Sequence, residues 1–248
     1  MATSMPKPTR MWFSIGRRCV TDDFLNLAGL RSCSGPFSYC LCDIETATHN
    51  IVTGFQHYLD SVVTIGPYEG PYLPCWRMTR RIHVNQHYSD PLSDRPVYDM
   101  QRLLIWNHHD LASATVCETL RRRAVRLMSL VNSSDTKVML LHISRQTTMS
   151  KIVCLIKKVE ILASSIRSEG PNTKIVLVVP CEDIRNISKV ASSSELVDVW
   201  TIPCVPMSSL LKQKSSETRE RLKLDADSTD PRIPWKELAR IFKSHYSI

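Results

Sequence analysis

Cys19 sits where a strand gives way to a helix. Trp12-Phe13-Ser14-Ile15 is an apolar run of strand type, Gly16-Arg17-Arg18 interrupts it, and the amphipathic stretch Thr21-Asp22-Asp23-Phe24-Leu25-Asn26-Leu27 follows. A junction of strand, glycine loop and helix directs backbone N–H groups and the positive end of a helix dipole at whatever lies there. Two chemistries fit. A thiol at this place, helped by Arg17 and Arg18, is expected to have a lowered pKa and to act as a nucleophile if a histidine lies within reach. An anionic ligand such as a diphosphate would be held by the same features, with Gly16 and Arg18 beside the phosphates.

The second polar constellation is Asn107-His108-His109-Asp110, directly after the buried strand-type run Leu103–Trp106. A histidine or aspartate at the end of a buried strand can serve as a general base. Consecutive residues point in different directions, so at most two of the three reach one site. His109 and Asp110 are the candidate catalytic pair, with Cys19 as the third candidate. His108 or His109 could serve as the base for the thiol, and Asp110 or Asp43 could orient the imidazole. The competing reading is a capped loop, with Asp110 or Ser113 at the start of the next helix.

Arginines supply the remaining candidates. Arg121, Arg122, Arg123 and Arg126 share one helix, and Arg122 is the one expected to turn inward toward Asp110 or a phosphate, against the alternative of a solvated basic face. Arg145 follows the strand Lys137–Ser144 and suits diphosphate recognition. There is no Walker loop, no Gly-x-Gly-x-x-Gly and no Gly-x-Ser-x-Gly in the chain, which disfavours P-loop enzymes, standard dehydrogenases and serine hydrolases. Cys33, Cys40 and Cys42 are the best metal candidates, but Cys40-x-Cys42 lacks the usual spacer and a second matching pair. No metal ion is expected.

The elements that must position these residues are legible from periodicity. Residues 1–10 read as a flexible arm and residues 11–30 as a first strand and helix, with a loop or strand end over 31–43. A helix is expected from Ile44 to Tyr58. Residues 60–100, with Pro67, Pro71, Pro74 and Pro91 and the aromatics Tyr68, Tyr72 and Trp76, read as a folded loop or extra hairpin. Strands follow at Leu103–Trp106, Lys137–Ile143, Lys174–Val179 and Leu196–Ile202. Helices are expected around Leu120–Val131 and Ile152–Ile166, with a short one over Glu182–Ser192. Residues 206–230 read as an exposed linker and residues 231–248 as a final helix built on Trp235, Leu238, Ile241 and Phe242. The alternation of strands and helices predicts an α/β domain over 11–205, with a mostly parallel, Rossmann-like sheet covered by helices on both faces. Ligands of such sheets bind beyond the carboxyl ends of the strands, where Gly16–Cys19, His108–Asp110 and Ser144–Arg145 would converge.

Bulk properties bound the possibilities. The 248 residues are 43% hydrophobic and 23% charged, with a formal net charge of +8. That basic excess favours a small anionic partner; nucleic acid is disfavoured because there is no long Lys/Arg tract. The N-terminal residues lack the apolar centre of a signal peptide, and no segment approaches the ~20 apolar residues that span a bilayer. Nine cysteines, several inside apolar segments, read as free thiols in a reducing, cytoplasmic compartment.

Taken as an ordered set, Gly16-Arg17-Arg18-Cys19, Leu30-Arg31, Pro36-Phe37-Ser38-Tyr39, His109-Asp110 and the arginine-rich helix resemble the uncharacterised family labelled putative papain-like cysteine peptidase, over roughly residues 11–200. The family usually shows Pro-Phe-Asp-Trp, so Ser38 stands where it has an aspartate, and Asp43 is the residue that would have to replace it. The resemblance implies Cys19 as nucleophile and His109 as base. It also implies a papain-like fold, whose catalytic histidine lies on an antiparallel sheet. The parallel pattern of the second half is instead similar to Rossmann-like glycosyltransferases.

The leading expectation is therefore a metal-independent glycosyltransferase that takes a nucleotide sugar as substrate, needs no cofactor and acts on a glycan acceptor. His109 or Asp110 would be its general base, while Arg18, Arg145 and the helix near Thr21 would neutralise the departing diphosphate. The loop Tyr68–Trp76 would stack on a sugar. The alternative is a papain-like cysteine peptidase or hydrolase using Cys19 and His109, and the third reading is a non-catalytic binding protein.

Overall fold

A computed structural model describes residues 9–16, 19–65, 82–88, 103–106, 108–144, 148–167, 172–204 and 233–246. In chain order the elements are β1 (Thr9–Ser14), α1 (Cys19–Leu27), β2 (Cys40–Cys42), α2 (Ile44–Val52), β3 (Val62–Ile65), β4 (Ile82–Asn85) and β5 (Leu104–Trp106). They continue with α3 (Ala114–Val131), β6 (Thr136–Ile143), α4 (Met149–Arg167), β7 (Thr173–Cys181), β8 (Ser188–Val190), β9 (Val197–Pro203) and α5 (Trp235–His245).

The larger sheet has five strands in the order β1-β6-β7-β9-β8. The first four run parallel in a continuous register, Phe13 opposite Leu140, Leu140 opposite Ile175 and Ile175 opposite Val197. Parallel strands are buried on both faces, so they read as unbroken apolar runs, as Val138–Leu141 and Ile175–Val179 do. Phe13, Leu140, Leu177 and Val199 face one side and pack with Ile51 of α2, Leu127 of α3 and Val159 of α4. Trp12, Leu141, Val178 and Trp200 face the other, beneath Phe24 of α1 and Leu238 and Phe242 of α5. The chain is thus an α/β protein with helices on both faces of a mostly parallel sheet.

A second, antiparallel sheet with the order β2-β5-β4-β3 is inserted between α1 and α3. One face, with Leu41, Val84, Leu103 and Ile105, forms its own small cluster. The other turns Cys40, Cys42, Leu104 and Trp106 into the core of the large sheet, and that shared core joins the two sheets.

Three expectations are corrected here. Leu103–Trp106 is buried as expected but belongs to this antiparallel sheet, between β2 and β4; an apolar run specifies burial and not the direction of its neighbours. Glu182–Ser192 is not a helix. It is a turn followed by β8, which lies antiparallel on the edge of the large sheet, with Lys189 ion-paired to Asp198 across the strands at 2.7 Å. An exposed lysine on a short strand is a common way of blunting a sheet edge. The helix from Ile44 stops at Val52, because Gly54 and Phe55 adopt φ of +60° and +65°, a left-handed conformation in which an α-helix cannot continue. Within 60–100, β3 and β4 form an antiparallel pair; Tyr68–Trp76 lies outside the described residues, as do residues 1–8 and 205–232. No helix among the described residues is long and apolar enough to cross a membrane.

Candidate active site

The strand-to-helix turn is built by contact with the second sheet. The Ile15 N–H donates to Leu141 O at 2.9 Å, which carries the β1–β6 ladder one residue past β1. The backbone then turns at Gly16, whose φ is +101°; a Cβ at that position would lie 2.7 Å from Cys42 Cβ at the end of β2. Only glycine fits this conformation and this approach. Thr21, buried in the first turn of α1, donates from Oγ1 to Gly16 O at 2.9 Å and ties the helix to the turn. Cys19 is thereby the first residue of α1 and half-exposed.

His108 reaches the same point from the antiparallel sheet. It follows β5 by two residues and is exposed. Cys19 Sγ lies 2.8 Å from His108 Nε2, across 89 residues of sequence.

Below this pair lies a buried polar layer. Asp22, one turn beyond Cys19 on α1, is 1% exposed. It accepts the Tyr39 N–H on Oδ2 at 2.9 Å, and its Oδ1 lies 3.5 Å from Arg31 Nη2. Burial pushes the Asp22 carboxyl pKa up, against the pull of the Tyr39 amide, the Ser38 and Ser14 hydroxyls and the Arg31 charge. Tyr39 holds φ +55°. Its hydroxyl accepts from Arg31 Nη1 at 3.2 Å and donates to Asp23 Oδ1 at 3.4 Å, and the guanidinium carbon sits 5.0 Å from its ring centroid. The Tyr39 and His108 rings meet in a T-shaped contact, centroids 5.9 Å apart.

The other sequence candidates go elsewhere. His109 is half-buried and its Nε2–H donates to Ser38 O at 2.9 Å; burial pushes its pKa down, more strongly than the Ser38 carbonyl raises it. Asp110 is turned to the surface, where Oδ1 accepts the Ala112 N–H at 3.1 Å. It lies 3.3 Å from Nε2 of His83, which accepts the Leu111 N–H at 3.1 Å and therefore carries its proton on Nδ1, toward Thr64 Oγ1. Asp43 stands at the start of α2. It caps α2 by accepting Thr46 N–H and Leu103 N–H, which fixes the start of β5 to that helix. Arg122 is exposed and donates to Thr119 Oγ1 at 3.2 Å; the arginine of α3 that turns inward is Arg123, half-buried, its pKa lowered by desolvation. Arg17, Arg18 and Arg145 lie outside the described residues. Residue reasoning thus passed over Asp22, Arg31 and Tyr39 as a support, although the Leu30-Arg31 and Pro36-Phe37-Ser38-Tyr39 segments of the resemblance contain two of the three.

No group of His, Cys, Asp and Glu among the described residues is arranged to hold a metal ion. Cys40 and Cys42 spend their S–H groups on the carbonyls of Phe37 and Asp43. His49, His57 and His87 lie together, but His57 and His87 stack at 4.0 Å with ring planes 21° apart. Imidazole lone pairs lie in the ring plane, so stacked rings do not converge on one ion. An open groove of about 640 Å³ runs between Phe55, Tyr58 and Leu59 on one side and Arg121, Val125 and Met128 of α3 on the other. Cys19 and His108 do not line it.

A family model with the description putative papain-like cysteine peptidase matches residues 10–183. The chain belongs to that family. The matched span begins in β1, ends just beyond β7 and takes in Cys19, the Asp22–Arg31–Tyr39 layer and His108. Neither the curated proteins nor the solved structures give a match.

Proposed function

We propose that this family member is a cysteine-dependent acyl hydrolase, with peptides as its substrate class, Cys19 as nucleophile and His108 as general base. The 2.8 Å approach of Cys19 Sγ to His108 Nε2 carries the reading; it is the nucleophile–base contact that covalent catalysis by a thiol requires. The position of the thiol at the start of α1 adds to it, because helix N-termini and a neighbouring imidazolium favour the thiolate, which is the attacking form.

In this mechanism the Cys19 S–H proton passes to His108 Nε2, and sulfur attacks the carbonyl carbon of the scissile bond. The carbonyl π electrons move to oxygen. The positive end of the α1 dipole lies at Cys19, and it favours the negative charge that develops on that oxygen. Collapse of the tetrahedral species expels the amine, which takes the proton from His108 and leaves a thioester on Cys19. Water, deprotonated by His108, then attacks the thioester and releases the acid, and the thiol regains its proton.

The glycosyltransferase reading draws no support from the described residues. Arg122 faces solvent, Arg18 and Arg145 fall outside them, and His109 is occupied by Ser38 O.

The test is labelling of Cys19 in the full chain by iodoacetamide and by a peptidyl acyloxymethyl ketone, read by intact mass and peptide mapping. Wild type is expected to take the ketone at Cys19 at neutral pH, and to take iodoacetamide faster at Cys19 than at the exposed Cys154. Loss of a general base costs about 10²–10⁴-fold, so His108→Ala should slow ketone labelling by at least about a hundredfold, whereas His109→Gln should stay within a few-fold. Equal labelling of wild type and His108→Ala would overturn the proposal.

A further inference from the structure

We infer that Tyr39 is a positioning residue for His108 and that Asp22 and Arg31 fix it in that role. The inference rests on the reading of Cys19 and His108 as nucleophile and base, and it adds the means by which the imidazole is held against the thiol. His108 is an exposed side chain just past the end of a three-residue strand. An imidazole has several staggered rotamers, and the proposed catalysis requires the one that meets Cys19.

The wall against it is the Tyr39 ring, at 5.9 Å between centroids and 67° between planes. Edge-to-face contact of this kind is attractive and has a defined geometry. Tyr39 is in turn fixed at three points. Its backbone is held at φ +55°, a conformation that costs a bulky residue free energy and persists only where surrounding structure enforces it. Its N–H is bound by the buried Asp22 carboxylate at 2.9 Å. Its hydroxyl is held between Arg31 and Asp23, with the Arg31 guanidinium over the ring.

The economy of the arrangement lies in α1. Cys19 opens that helix, and Asp22, three residues on, anchors the residue that abuts the base. The nucleophile and the support of its partner are therefore parts of one rigid element, and any shift of α1 moves both together. Arg31 joins the same unit from beyond the helix, pairing with Asp22 at 3.5 Å while it bonds Tyr39.

The experiment is the pH profile of iodoacetamide alkylation at Cys19 in the full chain, compared among Tyr39→Gly, Tyr39→Asn, Tyr39→Phe and His108→Ala. Glycine and asparagine both accept φ +55°, so either removes the ring without straining the backbone, and the second serves if the first does not melt cooperatively. Both are expected to move the alkylation inflection up by about one unit, which lowers the rate below the inflection about tenfold. Tyr39→Phe keeps the ring and should lie near wild type. A His108→Ala profile that differs from wild type beside a Tyr39→Gly or Tyr39→Asn profile that does not would overturn the role of Tyr39 alone. A His108→Ala profile identical to wild type would instead remove the nucleophile–base reading on which it rests.

Discussion

His108 and His109 are neighbours in sequence with opposite surroundings. One is exposed and touches a thiol; the other is half-buried and gives its Nε2 proton to a backbone carbonyl. The difference has a thermodynamic consequence. Burial lowers the His109 pKa below the ordinary histidine value of 6.5, so as pH falls through that value the unfolded chain binds a proton that the native protein refuses. Native stability is then lost with falling pH, from about 6.5 down to the folded pKa. His109→Gln retains an N–H for Ser38 O and has no proton to bind. Urea midpoints at pH 7.5 and 5.5 should therefore converge in the variant; an undiminished pH slope would assign the effect to another group. Which of two adjacent histidines meets Cys19 was not legible in the sequence. Local pattern places both at the end of β5, and only the docking of that strand decides which one points across. The Asp22 support was equally hidden, because a carboxylate on the apolar side of an amphipathic helix looks like a solvent-facing residue until its partners at Arg31 and Tyr39 are known.

At the scale of elements, the turn between β1 and α1 is the hinge of the arrangement. Gly16→Ala combines a residue with a Cβ at φ +101° with overlap on Cys42. Strain of this type and overpacking each cost about 1–3 kcal/mol. The variant should lose about 2–5 kcal/mol in a denaturant titration and should alkylate more slowly at Cys19, since the turn must leave β2 to make room. A wild-type melting curve would mean that Cys42 yields freely. This turn was readable in advance because strand, glycine and amphipathic helix each leave a local mark. The strands β6, β7 and β9 were readable for a similar reason, as continuous apolar runs between helical periods. The partners of β5 were not, because the same apolar run serves a parallel or an antiparallel neighbour. The stop of α2 at Val52 depends on two residues at positive φ, and only Gly54 announces it.

Across the whole molecule, the two faces of the large sheet do different work. One is shared with the antiparallel sheet that carries His108. The other is sealed by α1 and α5, with Phe242 between Trp12, Phe24 and Trp200 at centroid distances of 5.2–6.3 Å. Phe242→Ala empties the middle of that seal and should cost about 3–5 kcal/mol in urea unfolding; a loss below 1 kcal/mol would show that the face can close over the gap. The spacing of apolar residues around Trp235–Phe242 made α5 legible, and the aromatic pairs explain why it packs on the sheet.

The thiol opens the helix that follows β1 of the large sheet and the imidazole follows β5 of the small one, so neither half of the fold holds both groups of the pair. A nascent or partly opened chain, in which the small sheet has not yet seated on the large one, carries an ordinary cysteine and an ordinary histidine. On the proposed reading, the rate of Cys19 alkylation therefore doubles as a gauge of how much of a preparation has the two sheets seated together.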